Sequence, residues 1–565
     1  MNTPHDPTEP GQPIEPTAPP RAPGRRRRVM PGEDGWTGEI PVVQDGPATE
    51  PYEGNHTGQF PALTPDVLAA LSAESETHPE PAPEPAVDPG LDAAQLDAAQ
   101  LESEQPDAEQ PGARRRRRVP GTRRVDVVAL LSFVIPLATL GALATVHPAD
   151  TDAPDRAPGT APLIRQLLVC PAGLPGSEDV SAAFADPATA GELDVVGADP
   201  LAVSAGAVAS RRTSSTVVLE GNDAAAVGLF AVRGDADLGT ACSAPRSDIW
   251  FTGVGSGPEH TSRLRLVNPD SGPAVADIAV LSADGPQEVP ALRGLTVAAH
   301  DEIVVDLDQV VPARHDMSLH VTVPRGRLAL SMTDTFAEIG SNVSARAWLG
   351  PQRARGKVTH LLGVESGSGE RTLVVANAGA DQARVVVRLM TSEGEFVPAG
   401  AAEVEVAPGS TTTVDLSTLL AGEQAEGVLG VRLDSEVPVT ATLRTVRGKR
   451  VQHTVGAGWI RTSAATVVPG GGGHLVLAGA AEDTRVTLRQ RTGAGKQLKD
   501  VSVEVAAGTA TRVDLSSKAR TFVLEVSDVP VRAAMVSSAG NPAQVRVLEE
   551  LATSTSVPQV RPALQ

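Results

Sequence analysis

Aromatic side chains are nearly missing from this chain. Phe, Trp and Tyr make up 2% of its 565 residues, and Tyr52 is the sole tyrosine. That scarcity disfavours stacking platforms for bases or sugars, though it leaves room for one local site. Basic charge is also short, with 48 Lys and Arg against 69 Asp and Glu and a formal net charge of −21. The surplus of acid extends to the part after residue 146, which argues against nucleic-acid binding, because phosphate neutralisation supplies most of that affinity. Cysteine occurs only at Cys170 and Cys242. Two cysteines with no nearby CxxC or HxxxH do not make a tetrahedral metal set. HExxH, GxSxG and DxDxDG are all absent, which removes the common signatures of a zinc peptidase, a serine hydrolase and a calcium loop. Gly495-Lys496 resembles the end of a phosphate loop, but Gln490 and Gln497 stand where that loop needs Gly and Ser or Thr. It reads as a turn. No catalytic, cofactor or metal-binding residue is assigned, and no cofactor is expected.

What is present divides the chain. Residues 1–124 hold 22 of the 48 prolines, with 21 acidic and 12 basic residues. Such a stretch buries too little apolar surface to offset the entropy of ordering it, and a disordered tail is expected. Residues 127–146 then run for twenty positions without a charge, enough for a helix to cross the ~30 Å hydrocarbon core. A transmembrane helix is expected over 125–147. Arg114 to Arg118, Arg123 and Arg124 precede it, and only acids and one histidine follow closely. Positive charge stays on the cytoplasmic side, which places the tail in the cytoplasm and the remainder outside. A cleaved signal peptide is the competing reading, and a 124-residue polar tail before it speaks against that. Both cysteines follow the span. In a disulfide-permissive compartment, Cys170 and Cys242 are expected to form one bridge, the alternative being two unrelated buried thiols.

After a linker at 148–162 the sequence repeats. Val-Asp-Leu recurs at Asp306, Asp415 and Asp514, in steps of 109 and 99 residues, and a Trp-hydrophobe pair recurs at Trp250, Trp348 and Trp459, in steps of 98 and 111. Inside each unit, stretches such as ARVVVRLM and AEVEVA alternate apolar and polar residues with period two, and Asn-Pro, Asp-Gly and Pro-Gly punctuate them. That is the pattern of antiparallel strands with one buried face. The expected fold is an all-β ectodomain of tandem antiparallel β-sandwich (Ig-like) modules, with a β-propeller-like radial arrangement as the alternative. The divisions are a partial module at 163–247, three repeats at 248–350, 351–458 and 459–545, and a C-terminal tail at 546–565.

The repeated residues read as structural. One carboxylate per unit cannot pair for acid–base work unless the units converge. Asp306, Asp415 and Asp514 are therefore expected to make strand-end hydrogen bonds or turn caps. Asn268 and Asn377 precede their aspartates by 38 residues and read as turns, with Gly479 in that place in the last unit. The runs Gly253–Gly257 and Ser366–Gly369 read as equivalent loops. His315 and His320, five apart, fall on opposite faces of a strand.

The runs LLVCPAG, ACSAPRSDIWFTG, LRLVNPD, LVVANAGADQARVVVRLM and VAPGSTTTVDL resemble an uncharacterised actinobacterial family of membrane-anchored or secreted cell-envelope proteins, a domain of unknown function. The resemblance covers about 163–540. It implies an envelope location and carries over no catalytic residue. The functional expectation is a non-enzymatic single-pass membrane protein whose extracytoplasmic modules bind or scaffold a cell-wall glycan or an envelope protein. The alternatives are an enzyme acting on wall polymers and a signal relay whose output is the cytoplasmic tail. A phosphatase reporter fused after Gln565 is expected to be active outside the cell. Activity confined to the cytoplasm would refute the orientation.

Overall fold

The computed structural model of the protein describes residues 131, 134–139, 141, 159–337 and 344–557. The expected tail at 1–124, most of the expected span at 125–147 and the first part of the linker lie outside the described residues. Within the span, 131, 134–139 and 141 are helical. Among the described residues no helix is long and apolar enough to cross a membrane.

From residue 159 onward the chain is all-β, built from antiparallel pairs, and no described sheet closes into a barrel. Four modules follow one another. The first uses Arg165–Cys170, Asp179–Phe184, Gly191–Val195, Ala198–Val203, Ala209–Arg212, Val217–Asn222, Leu229–Gly234 and Gly239–Ala241. Counted in order, these eight strands form one sheet in the order 1-6-3-4 and a second in the order 5-2-7-8. The other three modules repeat that order, with small variations. The fourth position is split into two short strands in the second and third modules, and the sixth and seventh strands of the third module run on as Gly430–Arg447. The first module, expected to be partial, therefore carries the full set. Its shorter strands hid the match in the sequence.

Alternation along each strand sends one set of side chains between the two sheets. Ala383–Met390 shows this, with Ala383, Val385, Val387 and Leu389 buried and Arg384 exposed between them. Each module has its own apolar core drawn from both sheets, including Val180 and Leu219, Phe251 and Leu264, Leu373 and Leu433, and Leu475 and Phe522. Cys170 and Cys242 are disulfide-bonded. The bridge joins the end of the first strand to the residue after the eighth, across the edges of the two sheets of the first module.

Smaller apolar seams join the modules to one another. Leu167 and Val169 meet Val267 and Ala329 between the first and second modules. Ala345 and Ala347 meet Val451 between the second and third. Leu362 and Met390 meet Val476 and Val536 between the third and fourth. Ala183 and Phe230 meet Val467 and Leu551 between the first and the fourth. The fourth seam closes a ring. Gly159–Pro162 also pairs antiparallel with Ser554–Val557, tying the segment before the first module to the segment after the last.

The repeated residues can now be placed. Asp306, Asp415 and Asp514 each end the fifth strand of their module. Their carboxylates accept from Arg263, from the hydroxyl and backbone N–H of Ser417, and from Arg512. The tryptophans are not equivalent. Trp250 lies on the first strand of the second module, Trp348 on the eighth strand of that same module, and Trp459 in the loop before Ser463–Val467. Their near-regular spacing reflects proximity to module boundaries, not one repeated position.

Asn268 and Asn377 carry matching hydrogen-bond networks. The Asn377 amide donates to the carbonyls of Asp381, Val406 and Ala407, and its Oδ1 accepts from Gly379 N–H. Asn268 does the same with Gly272, Val297, Ala298 and Asp270. Both side chains are buried and pin the turn after the second strand to the chain ahead of the fifth. In the fourth module Gly479 stands one residue past the Ala478–Ala510 pair and turns by its backbone, at φ +80°. Asn377→Ala would strip the buried carbonyls of their donor, at about 1–3 kcal/mol for each group left unmade. A loss of about 2–4 kcal/mol in urea unfolding is expected, and a change below the scatter of surface substitutions would refute the pinning role.

Candidate functional site

The eighth strand is the edge of its sheet in every module, and the four edges gather around one axis. Two cavities lie at opposite ends of these strands. The smaller, about 270 Å³, is lined by Asp237, Arg346, Arg450 and Pro542, at the strand starts. The larger, about 450 Å³, is lined by Ala241, Trp348, Val455 and Val547, at the strand ends. Gln544 borders both. The four strands thus point the same way between the cavities, and every module contributes to each one.

The larger cavity has the volume of a small-molecule site, which typically runs ~300–1,000 Å³. Its walls include the loops that join the modules. Gly350–Gly356 enters from the second-to-third connection and Val455–Trp459 from the third-to-fourth. Cys242 lies in the wall as well, so the disulfide holds one side of the site. Two of the chain's four tryptophans are here. Trp348 is buried and its indole N–H has no partner. Trp459 is 38% exposed, with the Arg532 guanidinium stacked 4.1 Å from its ring centre. Trp250 lies close by, stacked on His320 at 3.9 Å, with the Arg355 guanidinium 5.7 Å from its ring centre.

Charge in this cavity runs against the rest of the molecule. Five arginines line it, at 353, 355, 461, 532 and 546, against Glu549 and Glu550. Both glutamates are already engaged. Glu549 grips Arg353 through both oxygens, with Arg353 Nε 2.9 Å from Oε1, and reaches Arg246 at 3.6 Å. Burial alone would raise the Glu550 pKa, but the Thr462 hydroxyl and the N–H groups of Arg461, Thr462 and Ser463 bring it below its ordinary value. Among the described residues, Arg532 and Arg546 have no carboxylate partner. Burial pushes both guanidinium pKa values down to about 10, with Arg432 adding repulsion at Arg532. They hold only backbone carbonyls, of Ala457 and Val467, and in Arg546 also the Met535 sulfur.

A second polar cluster lies beneath the cavity wall, in the seam between the second and third modules. Asp334, fully buried, receives His260 Nε2 at 2.7 Å and the Ser262 hydroxyl at 2.6 Å, both on Oδ1. His453, from the third module and in the cavity wall, stands 3.0 Å from Oδ2. Burial alone would raise the Asp334 pKa, but the two histidines hold it well below the ordinary carboxylate range. Phe336 stacks on His260 at 4.1 Å, and Arg444 lies over Phe336 while bonding Asp316. A Ser, a His and an Asp are thus together, but not as a relay. Hydroxyl and imidazole converge on one carboxylate oxygen, where nucleophilic catalysis needs the imidazole to take the hydroxyl proton. What this arrangement does is lock two modules together. Among the described residues, no group of three or more His, Cys, Asp or Glu converges as a metal site.

Sequence reasoning placed Cys170 and Cys242 together, and the structure pairs them. It marked Trp348 and Trp459 as repeat positions, and both line the cavity. Asp306, Asp415 and Asp514 stay apart in their own modules. The arginines, Glu549 and the Asp334 cluster had no signal, because they come from segments up to 300 residues apart that share no motif.

Fold and site together define an all-β protein of repeated two-sheet modules, closed into a ring with a cationic cavity at one end of its axis. The chain belongs to DUF5719, a family of unknown function, which matches residues 203–516. No curated protein matches it, and no solved structure does.

His360, on the first strand of the third module, is buried with neither ring nitrogen bonded. Burial, with Arg532 and Arg432 nearby, pushes its pKa down to about 3. The fold keeps this imidazole neutral, whereas the unfolded chain protonates it below about 6.5. Its contribution to stability is full above that value and drains away as pH falls toward the folded-state pKa. His360→Gln is therefore expected to flatten the fall in urea midpoint between about pH 7 and pH 4.5. An unchanged slope would refute the assignment. Asp334 acts at lower pH, since its depressed pKa costs stability only below the ordinary carboxylate range.

Proposed function

We propose that this protein is a non-enzymatic, single-pass cell-envelope protein whose ring of Ig-like sandwich modules stands outside the membrane and binds a cell-wall glycan in the larger axial cavity. One observation carries the reading: a cavity of about 450 Å³, walled by all four modules, with a half-exposed tryptophan and arginines around it. Carbohydrate sites typically combine an aromatic face for the apolar side of the sugar with fixed polar groups for its hydroxyls. The scarcity of aromatics elsewhere makes their gathering here more telling.

The location rests on sequence. The uncharged run at 127–146 follows seven arginines, which supports an anchor with the amino-terminal tail in the cytoplasm. The disulfide suits an oxidising compartment on the other side. The resemblance to actinobacterial envelope proteins supports the same location. The membrane is one partner in this reading and a wall glycan the other. An envelope protein is the second class of ligand, and nucleic acid is not expected.

Hydrolysis of wall polymers fits the cavity less well. Glycoside cleavage needs one carboxyl kept protonated as general acid. Glu550 is held in its charged form by four donors, and Glu549 is clamped by Arg353. A signal relay through the tail has no specific observation in its favour.

Full-length protein in detergent micelles should sediment with purified wall sacculi, and Trp459→Ala should reduce the bound fraction at least tenfold while leaving the melting temperature within a few degrees. Equal retention of the two proteins, or retention of neither, would overturn the reading.

A further inference from the structure

We propose that the axial cavity selects saccharides bearing an oxyanion, a carboxylate or a phosphodiester, over neutral ones. This deepens the glycan-binding reading and rests on it.

The argument is one of uncompensated charge. The chain carries a formal net charge of −21, yet the cavity wall gathers five arginines against two glutamates. Both glutamates are spent on the protein's own donors. Arg532 and Arg546 have no acidic partner among the described residues, and Arg546 is only 8% exposed. A buried guanidinium normally comes with a counter-ion, because desolvation penalises the bare charge. Here only backbone carbonyls and a thioether offset that penalty, with no counter-charge among the described residues. The unpartnered side-chain atoms of Trp348, Arg532 and Arg546 are all donors. Between low-dielectric walls their field is focused on the cavity rather than screened by water.

An oxyanion entering the cavity would relieve this imbalance. A neutral sugar would not, because its hydroxyls bring no charge. Arg532 is the residue placed to do both tasks. Its guanidinium sits over the Trp459 ring and donates to the Ala457 carbonyl, so its position is held, and a guanidinium fork held in place suits a carboxylate or phosphate edge. Arg355 and Arg461 are exposed at the same cavity and would steer an anion inward.

The test is titration of the full-length protein, followed by Trp fluorescence and calorimetry. Three probes are used: an oligogalacturonate, a glycerol-phosphate-substituted oligosaccharide and a neutral chito-oligosaccharide. At least one anionic probe should bind tenfold or more tighter than the neutral one. The preference should shrink as salt is raised. Arg532→Gln should abolish the preference, and Arg532→Lys should restore part of it. If Arg532→Gln fails to fold, the exposed pair Arg355→Gln and Arg461→Gln should lower anionic affinity without altering the neutral probe. Equal affinity for all three probes, lost in Trp459→Ala, would overturn the charge selection and leave glycan binding standing. Binding of no probe would overturn both.

Discussion

An exposed sheet edge is a row of unpaired backbone groups, and in each module the eighth strand is one such edge. The eighth strand closes the 5-2-7-8 sheet and has no further partner in it. Left open, four such edges would invite pairing between molecules. The ring turns them all toward one axis, where they cover each other. Most of Arg450–Val455 and Ala543–Val547 is buried as a result. The seams, the pairing of Gly159–Pro162 with Ser554–Val557 and both cavities follow from that one arrangement. A ring of four curved faces cannot fill its own centre, so space remains at the ends of the axis.

The four seams are not alike. Three are apolar, relying mostly on Ala, Val and Leu with Met390 and Phe230, in contacts that are individually weak and collectively sufficient. The seam between the second and third modules adds buried charge. Asp334 takes partners from both modules, and Arg444 crosses to Asp316. A buried pair gains little over well-packed apolar residues, but losing one partner is expensive. Such a seam does not loosen gradually. It fixes the angle between two modules that supply much of the cavity wall, and His453 belongs to both the lock and the wall.

Much of the fold was legible because strands write themselves in a short period. Alternation in ARVVVRLM and the Val-Asp-Leu triplets located three modules, and the aspartates proved to occupy one strand position. Asn268 and Asn377 were legible as turn residues, and their matching networks account for the recurrence. The first module was underread because its strands are short and it lacks the triplet. The tryptophans misled in detail. A spacing near one hundred residues suggested a repeated position, where Trp348 and Trp250 belong to one module. The 2% of aromatics suggested little stacking, and two of the four tryptophans line the larger cavity.

By itself, the sequence determined the strand class, the module length, the cysteine pair and the uncharged run with its arginine flank. Each of these is written in neighbouring residues or in a spacing that survives unfolding. Only the tertiary structure decided that the modules close on themselves and that Arg532, Arg546, Trp459 and Glu549 share a cavity with Cys242. The physical reason is that module-to-module seams are built from ordinary Ala, Val and Leu on strand faces. Nothing in their local pattern tells an inter-module contact from a core one, and the charges at the axis become a site only when the ring is shut.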